Sequence, residues 1–166
     1  DDATCLATIR DLVRGLGPAE RFGFTREEPV EPAFPADEIA RVFPASRQTP
    51  YDVREVLARV VDADSWTEVK ADYGQTLVCG YARIDGWSVG IVASQRQVVR
   101  AAAPKGKPPE MQIGGVIYGD AADKAARFVM QCNQKRIPLL FLQDVTGFMV
   151  GTRAEQSGII KDGAKL

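Results

Sequence analysis

The feature that most constrains the fold is a short apolar run between a helical pattern and a loop with two glycines. Residues 139–142 read Leu-Leu-Phe-Leu, a run of strand length without the polar alternation of a half-exposed strand. An amphipathic pattern from Asp120, the predicted N-cap, to Lys135 precedes it, and Pro138 ends the connection. The apolar face of this helix is predicted to consist of Ala122, Ala125, Ala126, Val129 and Cys132. Helix, covered strand, loop and helix in this order predict the α/β class.

Three features upstream also have a sequence pattern. Residues 76–84 and 87–93 are rich in β-forming side chains, and the pair Asp85-Gly86 between them is typical of a two-residue hairpin turn. Asp52, with Glu55 three residues later, predicts a helix start with a capping box. The apolar stripe of that helix is predicted to be Val53, Val56, Leu57, Val60 and Val61. Residues 66–73 are predicted to be strand-like.

The first fifty residues have a different organisation. Apolar residues at helical spacing predict a helix over residues 1–17, and residues 18–50, with prolines spread along them, read as a linker with a short helix at 37–42. The first helical pattern begins without a run-in, and the last one, from about Thr152, is still amphipathic at Leu166. We therefore expect this sequence to be an excerpt of a longer protein.

Composition excludes several kinds of site. The chain has no histidine, which removes Ser-His and Cys-His nucleophile pairs and the usual zinc ligands. Asp62 and Asp64 do not form a metal-loop pattern, so no metal site is predicted. The cysteines, Cys5, Cys79 and Cys132, are expected to be reduced and mostly buried.

The charge and hydropathy patterns bear on partners and location. The formal net charge of −1 favours neither nucleic acid nor an anionic membrane as a partner. No apolar stretch approaches the roughly 18 residues that a membrane span needs. The start shows no signal-peptide pattern, so a cytoplasmic location is expected.

Residues 143–152 form the loop that carries the predicted chemistry. Gly147 and Gly151 flank an apolar triplet, and the loop joins the carboxyl end of a strand to a helix N-terminus. Ligands of open α/β sheets gather at such ends, where free backbone N–H groups and the helix dipole favour negative charge. A backbone N–H aimed at a developing enolate needs no side-chain base, and losing one costs about 3–4 kcal/mol of barrier stabilisation. The same pattern also fits a plain turn with Phe148 and Met149 in the core.

Three further groups of residues each allow two interpretations. The basic loop at residues 95–111 is either a surface loop or a contact to a phosphate such as that of coenzyme A. The charged residues of the last helix are either solvated or able to neutralise a ligand carboxylate; they are Lys161, Asp162 and Lys165. The four large aromatic residues of the strand-like segments favour core or interface packing over stacking on bases; they are Trp66, Tyr73, Tyr81 and Trp87.

Four long runs together carry a resemblance to a known family. They are PYDVREVLARVVD, EVKADYGQTLVCGYARIDGWSVGIVAS, KAARFVMQCNQKRIPLLFLQDVTGFMVG and GIIKDGAKL. In this order they resemble the second half of the carboxyltransferase β subunits of biotin-dependent acyl-CoA carboxylases, in particular the 3-methylcrotonyl-CoA and propionyl-CoA types. The resemblance implies a crotonase-like ββα superhelix, present here as a partial domain. It also implies that residues 1–17 end the preceding domain, that 18–50 are a proline-rich linker, and that 51–166 begin the C-terminal, biotin-side domain.

The resemblance also implies an activity and its partners. The family moves CO2 from carboxybiotin, held on a partner carrier domain, to the α- or γ-carbon of an acyl-CoA, and it stabilises two enolates in two backbone oxyanion holes. The implied partners are a biotin carboxylase or biotin carrier subunit, further copies of the carboxyltransferase subunit, and the acyl-CoA. The acyl-CoA domain and the glycine-rich second wall of the biotin-side hole are not in this sequence, so we expect the fragment to be inactive alone.

Carried over residue by residue, the family's site falls on the loop after residue 143. The catalytic donors are expected to be the backbone N–H groups of Phe148, Met149, Val150 and Gly151. The residues expected to bind the biotin are Thr146, Gly147, Phe148 and Gly151. Thr146 stands where many relatives have proline, and the loop at 95–111 is longer than expected for the methylcrotonyl type. The alternatives are therefore a biotin-dependent decarboxylase of the glutaconyl-CoA type and a non-catalytic scaffold.

Overall fold

The central feature of the fold is a four-stranded sheet built around one long hairpin. The computed structural model describes residues 2–15, 26–46, 49–101, 106 and 108–166. The sheet has the order β1-β2-β3-β7. Its strands are β1 (Thr67–Glu68), β2 (Leu77–Ile84), β3 (Trp87–Ser94) and β7 (Leu139–Leu142). β7 is parallel to β3 and the other neighbours are antiparallel.

Two small ladders lie beside this sheet. β4 (Val99–Arg100) pairs with β5 (Met111–Gln112) in antiparallel orientation. β6 (Val116–Ile117) pairs in parallel with β8 (Gly147–Phe148). The second ladder matters for function because β8 lies inside the glycine loop.

The structure confirms the hairpin predicted from the Asp85-Gly86 pair. Asp85 and Gly86 both have positive φ, 51° and 77°, which is the backbone of the two-residue turn that an Asp-Gly pair favours. The carboxylate of Asp62 accepts the backbone N–H groups of both turn residues at 2.8 Å. The register then runs from Ile84 opposite Trp87 to Leu77 opposite Ser94.

In the described residues six α-helices accompany the strands, together with a 3₁₀ turn at Ala36–Glu38. The long ones are α1 (Asp2–Gly15) and α4 (Gly119–Lys135). The short ones are α2 (Ile39–Val42), α3 (Val53–Leu57), α5 (Thr152–Gln156) and α6 (Ile159–Gly163). None of the helices in the described residues is long and apolar enough to cross a membrane.

The hairpin is covered on both faces. On one face α4 packs over Cys79 and Val92 with a row of alanines and Phe128. On the other, Val53 and Leu57 of α3 pack over Val78 and Ile91. Since successive side chains of a strand point to opposite faces, one hairpin supplies both core clusters.

The approach of α4 to the hairpin depends on a glycine. A Cβ on Gly90 would lie 2.6 Å from Cys132 Sγ, so only glycine allows this spacing. Cys79 and Cys132 are buried and Cys5 is exposed, and all three are free thiols. The expectation of mostly buried, reduced cysteines is confirmed for the two in the core.

Several predicted boundaries need correction. α4 begins at Gly119 with Tyr118 as its N-cap, so the predicted N-cap Asp120 lies in the first turn instead, where it accepts the Ala121 N–H. Only Thr67–Glu68 of the strand-like segment 66–73 is a strand, because the chain then turns with Lys70 at a φ of 51°.

The last predicted helix is two helices. Gly158, at a φ of 93°, separates α5 from α6, and this backbone breaks the continuous apolar stripe that the sequence suggests. The strand β7 is confirmed, but its burial is only partial: its leucines pack against the two clusters, whereas Phe141 is exposed.

The N-terminal predictions are confirmed where they fall on described residues. Helix α1 covers Asp2–Gly15, and the short helix predicted at 37–42 is the 3₁₀ turn followed by α2. Asp52 caps α3 by accepting the Arg54 N–H, while Glu55 pairs with Arg59 rather than closing a capping box. Residues 1, 16–25, 47–48, 102–105 and 107 lie outside the described residues, and the parts of the predicted linker at 18–25 and 47–48 are among them.

Candidate functional site

The glycine loop follows β7 and runs along the edge of β6. Residues 143–146 leave the sheet, Gly147 and Phe148 form β8 beside β6, and residues 149–151 lead into α5. Two bonds fix this path: the Thr146 N–H donates to the Gly115 carbonyl, and the Met149 N–H donates to the Ile117 carbonyl, both at 2.8 Å. The loop is therefore an ordered extension of a parallel ladder.

The backbone N–H groups of the loop fall into two sets. The Met149 N–H is already engaged with Ile117. Since N–H directions alternate along an extended strand, the Phe148 N–H points away from β6. Within the described part of the chain, the N–H groups of Val150 and Gly151 have no acceptor. Of the four predicted donors, Val150 and Gly151 are thus the ones available at the helix entry.

The two loop glycines are required by backbone conformation and not by space. Gly147 has a φ of 151° and Gly151 a φ of 112°, in a region that other residues rarely adopt. A Cβ at either position would meet no heavy atom within 4 Å. A substitution would therefore strain the loop and change its path without a clash.

The helix after the loop contributes less to anion stabilisation than the sequence suggests. α5 has only five residues, so its dipole is small compared with that of a long helix. Any anion stabilisation at this point comes from individual N–H groups at close range. The conformation of residues 149–151 therefore matters more than the helix that follows.

A cleft of about 570 Å³ opens beside these N–H groups. One wall is the loop and the start of α5, from Met149 to Ala154. The facing wall carries side chains from the turn before β2, from β5 and from the start of α4. These are Tyr73, Glu110, Gln112, Tyr118, Asp120 and Asp123. The cleft has the size of a small-molecule site, with backbone donors on one side and aromatic and acidic groups on the other.

The facing wall is acidic. Burial, followed by the charges of Asp123 and Asp120, raises the pKa of Tyr73, so this phenol stays protonated at neutral pH. Among the described residues that line the cleft, the basic side chain is Arg153, which is paired with Glu110 at 3.1 Å. This environment disfavours negative charge next to the facing wall, whereas the loop side offers N–H groups to a hydrogen-bond acceptor.

The apolar residues of the loop do not lie in the core of the described chain. Phe148 is 46% exposed and Val150 is 78% exposed, and together with Ile160 they line a second, apolar groove of about 460 Å³. The alternative of a plain turn with Phe148 and Met149 in the core is therefore wrong for this chain.

The remaining sequence candidates are dispersed. Asp162 lines the cleft and lies 3.6 Å from Lys165, while Lys161 is exposed and outside the cleft lining. In the basic loop, Arg96 forms an ion pair with Asp144, and Lys105 and Lys107 lie outside the described residues. In the described residues no cluster of three or more His, Cys, Asp or Glu could hold a metal ion.

Sequence reasoning missed several polar residues that the fold places near the loop or in the core. Tyr51 donates to Asp144 at 3.0 Å, and Gln95 is buried. Lys124, on the inner face of α4, is 1% exposed, and its amine has no partner in the described chain. Only the last carried a signal, because a lysine between Ala122 and Ala125 falls within the apolar stripe of the helix.

Comparison with known proteins places this geometry in context. The sequence profile of the carboxyl transferase domain matches residues 1–166. The mitochondrial methylcrotonoyl-CoA carboxylase β chain of Dictyostelium discoideum is 39% identical over 166 residues, which are 100% of this chain and 25% of that protein. The biotin-dependent 3-methylcrotonyl-coenzyme A carboxylase β1 subunit of Mycobacterium tuberculosis is also 39% identical, over 100% of this chain and 28% of its own length. The chain thus spans about a quarter of the curated relatives it matches.

Solved structures agree with the sequence relatives. The β subunit of geranyl-CoA carboxylase from P. aeruginosa superposes with a TM-score of 0.68 at 36% identity, covering 89% of this chain and 24% of that one. The transcarboxylase 12S structure, described as a hexamer assembly, superposes with a TM-score of 0.71 at 39% identity, covering 85% and 25%. These likenesses confirm the predicted α/β, crotonase-like fold of a partial domain.

Proposed function

Because this chain belongs to the carboxyl transferase domain family, we propose that it forms the biotin-side half of a carboxyltransferase site in a biotin-dependent acyl-CoA carboxylase. The reaction moves CO2 from carboxybiotin to the α- or γ-carbon of an acyl-CoA. The relatives include methylcrotonyl-, propionyl- and geranyl-CoA carboxylase subunits, so an acyl-CoA of that class is the proposed acceptor.

One observation carries this proposal. The N–H groups of Val150 and Gly151 lack an acceptor in the described chain and lie at the wall of a cleft of about 570 Å³. A chain without histidine has no imidazole to act as a base, and preorganised N–H donors are the alternative device for stabilising an oxyanion. We assign to these two groups the stabilisation of negative charge on the ureido oxygen of biotin.

The cleft fits a ureido ring in its chemistry. The ring's carbonyl oxygen needs donors such as those of the loop, which lie across the cleft from the carboxylates of Asp120 and Asp123. Tyr73 and Tyr118 supply flat apolar surface with a hydroxyl at the rim. Carboxybiotin, when bound, supplies both the CO2 and the base for the acyl-CoA; this chain holds the ring, excludes water and stabilises the oxyanion.

The rest of the machinery belongs to partners in this proposal. A biotin carrier delivers the ring, and a second carboxyltransferase subunit contributes the surface that binds the acyl-CoA. Residues 148–151 form one wall of the site in this proposal. Gly147 and Thr146 act by fixing the strand that presents the donors, since Thr146 donates to Gly115 through both its N–H and its hydroxyl.

The test is carboxyl exchange by the complete subunit assembled with its biotin-carrying partner. Acetyl-, propionyl-, methylcrotonyl-, geranyl- and glutaconyl-CoA are offered in turn. Gly151→Ala is expected to lower the exchange rate by about 100-fold, because a Cβ at a φ of 112° shifts the two donors. Gly106→Ala is the matched control, since Gly106 also has positive φ and open space around it but does not line the cleft.

The outcomes separate the interpretations. If no acyl-CoA accepts carboxylate from the wild-type assembly, the carboxylase assignment fails; carboxylate loss from glutaconyl-CoA alone would indicate a decarboxylase. If Gly151→Ala and Gly106→Ala behave alike, the loop N–H groups are not the oxyanion donors. A Gly151→Ala assembly that stays intact but inactive would exclude a purely scaffolding role.

A further inference from the structure

The base of the glycine loop is held by a polar contact between side chains that are distant in the sequence. Asp144, at the start of the loop, accepts a hydrogen bond from the Tyr51 hydroxyl at 3.0 Å. The Nε of Arg96 lies 3.4 Å from the same carboxylate oxygen. We call Tyr51, Arg96 and Asp144 the loop clamp. These three residues come from three separate parts of the chain, and the side chains of Tyr51 and Arg96 meet at the carboxylate of Asp144.

Arg96 is built into its place. Its side chain is only 16% exposed, although it carries a charge. A Cβ on Gly115 would lie 2.1 Å from Arg96 Nη1, and a Cβ on Gly114 would lie 2.2 Å from the Arg96 carbonyl carbon. The glycine pair therefore allows Arg96 to lie flat against the backbone that leads into β6. A charged side chain held this closely is arranged for a specific contact.

The same glycine pair connects Arg96 to the loop by a second route. The Gly115 N–H donates to the Gln95 carbonyl, and the Gly115 carbonyl accepts both the N–H and the hydroxyl of Thr146. Arg96 thus touches the loop at Asp144 directly and at Thr146 through Gly115. A change at Arg96 would loosen two adjacent anchor points of the strand that presents the donors.

The other end of the clamp is fixed to the core. Tyr51 immediately precedes Asp52, which caps α3 and accepts the side-chain amide of Gln95 at 2.7 Å. α3 in turn buries Val53 and Leu57 almost completely. The Tyr51 hydroxyl therefore ties the loop to an element that packing already holds in position.

The loop itself has little apolar burial to fix its geometry. Met149 is exposed, and Val150 is the most exposed large apolar residue in the described chain. Backbone donors serve an oxyanion only when they are held within a fraction of an ångström of the required position. Hydrogen bonds and ion pairs at the base must supply that precision.

From this geometry we infer that Arg96 and Asp144, with Tyr51, are positioning residues that set the direction of the Val150 and Gly151 N–H groups. This inference rests on the proposed function for its catalytic consequence. The structural part does not depend on it, because the clamp also predicts how firmly Thr146 and Met149 are bonded to β6.

The test uses four variants of the complete, assembled subunit. Arg96→Gln and Asp144→Ala are each expected to lower kcat for carboxyl transfer by about tenfold, with KM for acyl-CoA unchanged. Asp144→Asn retains an acceptor for Tyr51 and Arg96 and should stay within about threefold of wild type. The double variant Arg96→Gln/Asp144→Ala should be no worse than the poorer single variant, because both remove one unit.

Hydrogen exchange provides a readout that does not need activity. The amides of Thr146 and Met149 are bonded to Gly115 and Ile117 and should be protected in the wild type. Both should exchange about tenfold faster in Arg96→Gln and Asp144→Ala, but not in Asp144→Asn. Arg41→Gln is the control, since Arg41 pairs with Glu38 on the exposed side of α2, outside the cleft lining.

The outcomes separate the clamp from the proposed function. If the wild type transfers carboxylate but neither kcat nor amide exchange changes in the variants, the inference is overturned. Faster exchange with unchanged kcat also overturns it, because the clamp would then be structural only. If the wild type is inactive with every acyl-CoA while the exchange pattern appears as expected, the proposed function fails and the structural part of the clamp stands.

Discussion

The hairpin core and the glycine loop of this chain are held in place in opposite ways. In the hairpin, Val78 is fully buried under α3 on one face and Cys79 is fully buried under α4 on the other. In the loop, Phe148, Met149 and Val150 are exposed, and the backbone is fixed by hydrogen bonds to Gly115 and Ile117. In the buried hairpin the backbone N–H and C=O groups are paired with each other. In the loop, which is held at its base, some N–H groups stay open to a ligand. The hairpin core therefore supplies most of the stability, and the glycine loop supplies the groups proposed to contact a ligand.

The largest expected effect tests the core side of this comparison. Phe128 on α4 is 1% exposed in the cluster between this helix and the hairpin, and Phe128→Ala should lower the free energy of unfolding by about 3–5 kcal/mol. Phe148→Ala, the same change in the loop, removes a half-exposed ring and should cost only about 1–2 kcal/mol. Urea unfolding of the complete subunit, followed by tryptophan fluorescence, measures both.

The pair of phenylalanine variants can contradict the comparison in either direction. If Phe148→Ala were as destabilising as Phe128→Ala, the loop would be buried in the assembled protein, and the apolar groove around Ile160 would be an interface. If both were mild, the α4 cluster would not be the main source of stability.

The sequence predicts most of the core because its elements have local signals. The Asp85-Gly86 pair, the run at 139–142 and the helical spacing before it each depend on neighbouring residues, and the structure confirms all three elements. The boundary errors are local as well: one positive-φ residue, Gly158, divides a pattern that reads as one continuous helix.

The polar support of the site is not predictable in this way. Tyr51 and Asp144 are separated by 93 positions in the chain, and neither has a periodic pattern that would indicate their contact. The positions of the loop glycines came from the sequence, but which N–H groups are free depends on the pairing of β8 with β6. That pairing involves two residues on each strand, which is too short a ladder to leave a hydrophobic signature.

The second prediction concerns a polar group inside the apolar region. Lys124 is buried on the inner face of α4, and its amine has no partner in the described residues. Burial lowers the pKa of Lys124, although the nearby Cys79 and Glu68 act in the opposite direction. An unsatisfied buried polar group costs about 1–3 kcal/mol, so Lys124→Met should raise the free energy of unfolding by about this amount.

The stability gain expected for Lys124→Met depends on pH. With a folded pKa below its ordinary value of 10.5, Lys124 binds protons more weakly in the folded chain than in the unfolded one. The penalty is therefore largest at low pH and shrinks as pH rises towards 10.5, and the gain from Lys124→Met should shrink with it. Lys135→Met, an exposed change on the same helix, should shift stability by less than about 0.5 kcal/mol at any pH. A destabilised Lys124→Met subunit would mean that the amine finds a partner in the complete protein.

The smallest effect concerns the base of the loop. Burial, followed by the hydrogen bond to Asp144 and the charge of that carboxylate, raises the pKa of Tyr51 from 10 to about 12, while Arg96 acts in the opposite direction. A difference titration of phenolate absorbance between wild type and Tyr51→Phe should show one step near pH 12, and Asp144→Ala should move it towards 10. Because the folded pKa is raised, the stabilisation from protonated Tyr51 is complete below pH 10 and is lost as pH rises from 10 through 12. Tyr51→Phe should therefore lose stability less steeply than wild type in that window only. A wild-type step near pH 10 would mean that the loop is not tied to α3 through the Tyr51 hydroxyl. Some other contact would then hold the glycine loop in place.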